Sequence, residues 1–144
     1  MTIATEFIHA LNAHDVASAM TCCDADGELL LPHLGEPGTL AIEGTEYFEA
    51  LVTAFPDLRI KTRHHCKMHD GVEVAEVNVS GTQAADFIGI INQEKFCDVD
   101  QAWRFTTGDG RITGLHCFWD QTMLLRRLGV KRLDNITITQ GAAL

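Results

Sequence analysis

Three observations predict an α+β fold. Helix-spaced apolar stripes fill the chain before Pro56 and return only after Asp120, and strand-like alternation holds between, from Leu58. Two Asp-Gly pairs, Asp70-Gly71 and Asp109-Gly110, then mark tight hairpin turns. Helices followed by an antiparallel meander predict a cone-shaped, curved sheet, antiparallel or mixed, with three N-terminal helices packed over a pocket.

Each element has its own signal. Thr2 caps a helix whose Ile3, Phe7, Ala10 and Leu11 form one stripe. Residues 12–14 break it, and Asp15 caps a second helix through Val16, Ala19 and Met20. A short strand over 28–31 leads into a loop carrying Pro32, Gly35, Pro37 and Gly38. A third helix spans 43–55, turns Tyr47, Leu51, Ala54 and Phe55 inward, and stops at Pro56.

Beyond Pro56, simple pairing around Asp70-Gly71 sets Thr62 opposite Val79, His64 opposite Val77 and Cys66 opposite Ala75 on the apolar face. A loop over 83–94 precedes a strand that runs to Thr107. Pairing around Asp109-Gly110 then sets Phe105 opposite Gly114, Trp103 opposite His116, Gln101 opposite Phe118 and Val99 opposite Asp120. The last strand runs into a helix with Met123, Leu124, Leu125 and Leu128 on its stripe, Arg126 and Arg127 in its final turn, and Gly129 as its cap. Residues 1–130 read as one domain and 131–144 as a C-terminal tail.

Composition narrows the function. The 144 residues are 46% hydrophobic, yet no apolar run approaches the ~18 residues of a membrane span. The N-terminal stretch carries Glu6 and no base, unlike a secretory signal. Five cysteines without a CxxC pair point to a reduced, cytoplasmic protein. The net charge of −9 is lopsided: residues 1–58 hold ten acids and no Lys or Arg, while 59–144 hold eleven bases and ten acids. Nucleic acid is thereby excluded as a partner.

One side of the second hairpin collects Gln101, Trp103, His116, Phe118 and Asp120, a mixture of aromatic surface and hydrogen-bonding groups that suits a ligand cavity. Asp120, between aromatic and aliphatic neighbours, is the candidate proton-moving group, because a half-buried carboxylate accepts a proton more easily. A cap on the following helix is its alternative role. His116 is placed to donate to a developing oxyanion. Trp103, Gln101, Phe118, His64, Tyr47 and His33 are assigned to substrate binding. His33 sits in the Pro/Gly loop at the pocket rim. The run His64-His65-Cys66 with His69 is not a metal site, since alternation sends its members to opposite faces. The thiols read as buried and inert.

Four stretches carry a family resemblance: EGTEYFEALVTAFPDLRI, GTQAADFIGI, TGDGRITGL and, above all, FWDQTMLLRRLG. To about Gly129 the chain resembles the nuclear transport factor 2-like superfamily and, within it, the SnoaL-like polyketide cyclases. The resemblance implies intramolecular aldol ring closure with Asp120 as general acid/base, no metal or organic cofactor, a small hydrophobic ligand and a homodimer. Leu115 and Trp119 on the sheet's outer face would supply the dimer surface. Two departures bear on substrate and reaction. Gly81-Thr82-Gln83 replaces the common Gly-Thr-His, and Asn92-Gln93-Glu94-Lys95 replaces Pro-Thr-Gly-Arg. Isomerases, dehydratases, epoxide hydrolases and non-catalytic binding domains share the fold, so a small-molecule-binding or dimerisation domain stands as the alternative.

Overall fold

The computed structural model describes residues 1–131; the expected tail thus falls almost wholly outside the described residues. Helix α1 (Ile3–Asn12) is capped by Thr2, whose hydroxyl accepts from Thr5 N, and buries Ala4, Phe7, Ile8 and Leu11. Asp15 caps α2 (Val16–Thr21) through Ser18 N. Strand β1 (Cys23–Leu30) is longer than the alternation suggests, and the Pro/Gly loop contains a two-residue strand, β2 (Gly38–Thr39). A π-type turn, Leu40–Gly44, leads into α3 (Thr45–Ala54), so the regular helix starts two residues later than expected. Strands β3 (Arg59–Lys67), β4 (Val72–Thr82), β5 (Phe96–Gly108) and β6 (Arg111–Phe118) form the meander, and α4 (Gln121–Arg127) closes the described chain.

The six strands form one mixed sheet in the order β2-β1-β6-β5-β4-β3, with β1 and β6 parallel and the other pairs antiparallel. Strict alternation on β5 turns Cys97, Val99, Gln101, Trp103 and Phe105 inward. Phe7 of α1 meets Phe48 of α3 and Phe105 of β5 edge-on, at ring-centroid distances of 5.3 and 5.9 Å. Helices and sheet therefore share one core. The Asn12 amide also pins the end of α1 to β3, donating to Ile60 O and accepting from Ile60 N, both at 2.7 Å. No described helix is long and apolar enough to cross a membrane.

Two bulges correct the expected registers. Around Asp109-Gly110 the pairing follows expectation for two steps, Gly108 with Arg111 and Thr107 with Ile112; Thr106 then faces Gly114 and leaves Thr113 as an extra residue. One extra residue reverses every later side chain. Leu115, Cys117 and Trp119 consequently turn into the cone, and His116 and Phe118 turn out of it. The observed partners of Trp103 and Arg104 are Cys117 and His116. The proposed dimer surface on Leu115 and Trp119 is lost by the same correction. Around Asp70-Gly71 the turn is longer than two residues, so Lys67 pairs with Glu73, and Arg63 is a second bulge between Thr62–Val77 and His64–Glu76. His64 and Cys66 are both exposed, and His64 leaves the apolar face to which it was assigned.

Candidate functional site

Four elements meet inside the cone beside the cleft. Strand β5 contributes Gln101 and Trp103, with the Trp103 indole N–H donating to Gln101 Oε1 at 2.7 Å. The end of β6 contributes Cys117, and the residue just after the strand is Trp119. Helix α3 contributes Tyr47, and the loop after β1 contributes His33. The three rings gather closely: His33 lies 5.7 Å from Tyr47 and 6.2 Å from Trp119, and Tyr47 lies 6.1 Å from Trp119 with planes only 15° apart. A polar bond orients Trp119, whose N–H donates to Gln121 Oε1 at 2.7 Å.

Deeper in the cone the space is nearly filled. An inner void of about 20 Å³, lined by Tyr47, Phe55, Phe87, Gln101 and neighbours, has room for about one water. A cleft of about 280 Å³ opens on one side of Tyr47, walled by Leu31, His33, Leu34, Glu43, Glu46, Ala50 and Ile88. Ile88 is presented by a turn in which Ile88 and Gly89 take φ of 43° and 82° and Phe87 pairs with Ile90. Gln83 ties that turn down from inside. It is 1% exposed, and its Nε2 donates to Ala85 O and Ile90 O, each at 3.1 Å.

Burial favours the uncharged form of four groups around the cone. Burial lowers the His33 imidazole to about 4, and its Nδ1 is buried without a hydrogen-bond partner. Burial pushes the Tyr47 hydroxyl and the Cys117 thiol well above their usual ranges and the Cys97 thiol up to about 11. At the cleft the carboxylates, Glu43 and Glu46, stand on the rim. Glu43 is held below its ordinary range chiefly by the backbone N–H of Thr39, which donates to Oε1 at 2.6 Å.

The expected pair lies elsewhere. Asp120 is exposed and accepts from Met123 N at 3.1 Å, the capping alternative rather than the recessed one. His116, on the outer face, is held at both ring nitrogens: Arg104 Nη2 donates to Nδ1 at 2.7 Å, and Nε2 meets Glu28 Oε1 at 2.9 Å. A guanidinium can only donate, so the ring proton sits on Nε2 and faces Glu28. Phe118 is 47% exposed beside Arg104. Of the eight expected site residues, Trp103, Gln101, Tyr47 and His33 share the cone; Asp120, His116, Phe118 and His64 do not. Trp119, Ile88 and the rim carboxylates were not anticipated. Among the described residues no group of three His, Cys, Asp or Glu side chains is placed to hold a metal ion. Cys66 is exposed, whereas the other four thiols are buried as expected.

Comparison with known proteins places this architecture. The SnoaL-like domain family matches residues 4–115. The chain belongs to that family. The match ends five residues before Asp120, so Asp120 and α4 lie outside it. No curated protein matches the sequence. Solved structures with the same fold include a candidate polyketide cyclase from Pseudomonas putida KT2440 (16% identity, TM-score 0.80, covering 90% of this chain and 99% of that one). TsrD from Streptomyces laurentii is 21% identical with a TM-score of 0.76, covering 90% and 93% of the two chains. IdmH from Streptomyces antibioticus, also a candidate polyketide cyclase, is 19% identical with a TM-score of 0.71, covering 89% and 96%. At these identities the likeness of this SnoaL-like chain to each is one of fold.

Proposed function

We propose that this SnoaL-like chain binds a small, ring-bearing hydrophobic molecule in the cleft beside Tyr47 and orients it with uncharged hydrogen-bonding groups. The observation that carries this reading is the state of His33. A neutral imidazole stands at the mouth of an apolar cleft, packed against both Tyr47 and Trp119, with one ring nitrogen lacking a partner. A neutral imidazole donates at one nitrogen and accepts at the other. A buried polar atom without a partner costs about 1–3 kcal/mol, which a donor brought by a ligand relieves. Leu31, Leu34, Ala50 and Ile88 supply the apolar walls.

Isothermal titration with 2-naphthol and 2-methoxynaphthalene tests it. The hydroxyl compound is expected to bind several-fold more tightly, and His33→Leu is expected to erase the difference. Equal affinities in the unaltered protein would remove His33 from ligand recognition.

A second reading keeps the acid/base enzyme expected from the resemblance, an aldol-type cyclase or a related isomerase, dehydratase or epoxide hydrolase. The polyketide-cyclase assignments of two structural relatives favour it. Within the cone, the polarising role would fall to neutral His33 and the Tyr47 hydroxyl, an electrophilic use of imidazole. Proton transfer by Asp120 and His116 would instead require the substrate to reach the outer face of β6. Loss of turnover in Asp120→Asn, with the fold intact, would support that route.

A further inference from the structure

The charge around the cleft is one-sided, and this deepens the binding reading on which it rests. Every residue lining the cleft except Ile88 comes from positions 31–50, inside the stretch of ten acids and no Lys or Arg. Glu43 and Glu46 stand on the rim. The neighbouring groove of about 500 Å³ shares Leu34 and Glu43 with the cleft and adds Asp26, Glu28 and Glu36. Among the described residues no Lys or Arg lines either space, and Glu46 makes no ion pair. Below the rim the lining is apolar, from Leu31, Leu34, Ala50 and Ile88 with the ring of Tyr47. A greasy floor under an anionic rim selects by charge as well as by shape.

We propose that the cleft takes a cationic ligand, a small aromatic or alicyclic amine whose ring lies against Leu31, Tyr47 and Ile88 and whose ammonium group faces Glu46. A single-signed rim repels a carboxylate or phosphate, treats a neutral alcohol indifferently and attracts an ammonium ion. The carboxylates act at partly exposed positions, where one ion pair contributes little. Two of them, with an adjoining acidic groove, give a preference of about five- to tenfold at low salt.

The test uses three probes with one ring: 1-naphthylmethylamine, 1-naphthalenemethanol and 1-naphthoate, titrated calorimetrically into the full chain at neutral pH and low salt. The amine is expected to bind about five- to tenfold more tightly than the alcohol, and the carboxylate most weakly. Glu46→Gln is expected to reduce the amine's advantage to within about twofold. Glu49→Gln, exposed on the same helix but outside the cleft lining, is expected to keep it. Equal binding of amine and alcohol, tighter binding of the carboxylate, or an advantage that survives Glu46→Gln would overturn the cationic ligand while leaving the binding site in place. Failure of all three probes to bind would overturn the site itself.

Discussion

His33 stacks on Trp119, with ring centroids 6.2 Å apart and planes 27° apart. The contact joins the loop after β1 to the end of β6, so the cleft's mouth depends on a side chain that a simple hairpin would have pointed outward. Trp119→Ala should cost about 2–4 kcal/mol and loosen the loop that carries His33. Denaturant unfolding measures the cost, and faster amide exchange over 31–37 reports the loosening. Unchanged exchange there would show that the ring does not hold the loop.

Asp120 acts as a cap. Asp120→Ala should lower stability by about 1 kcal/mol, whereas Asp120→Asn, which caps equally well, should change it by only a few tenths. Thermal unfolding distinguishes the two. Equal losses in both variants would mean that the charge, and not the cap, is what the fold uses.

His33 makes stability depend on pH. The unfolded chain takes up a proton near pH 6.5, while the folded one resists until about 4. Between those values the unfolded state holds more protons, so stability falls as pH drops from 6.5 to 4. This single group contributes up to about 3 kcal/mol, fully present above pH 6.5. In His33→Leu the slope over that window should flatten. An imidazole resonance titrating near 6.5 in the folded protein would contradict the buried placement.

Gln83 is the fourth test. Gln83→Leu leaves the carbonyl of Ala85 without its donor, while Ile90 O keeps the Phe87 N–H, at about 1–2 kcal/mol. The turn carrying Ile88 should be where the effect concentrates. Limited proteolysis over 84–94 should become faster than in the unaltered chain, and an unchanged cleavage rate would show that the turn is held by other contacts.

Much of the fold was legible because its signals are local. Thr2 and Asp15 cap the helices the apolar spacing indicates, and strict alternation on β5 turns Gln101 and Trp103 inward. The site was half legible because bulges are not local in that sense. Simple pairing from Asp109-Gly110 holds to Ile112 and fails at Thr113. The clue lies in the spacing of the buried residues: Ile112 to Leu115 is three positions, and Leu115, Cys117 and Trp119 then follow at two. That one irregular step marks the extra residue and moves Asp120, His116 and Phe118 away from the cone. The bulge at Arg63 leaves no such mark, since its neighbours from Lys61 to Lys67 are all exposed. Gln83 was legible only as a departure from Gly-Thr-His; its burial comes from tertiary contacts with the loop it holds.

The cleft between α3, the loop after β1 and the Ile88 turn, and not the outer face of β6, is the proposed working surface. Chemical-shift mapping with 2-naphthol tests this most directly. The largest perturbations should fall on the Trp119 indole N–H, the His33 ring, Tyr47 and Ile88. Perturbations centred on His116, Phe118 and Asp120, with the cleft unaffected, would contradict the account.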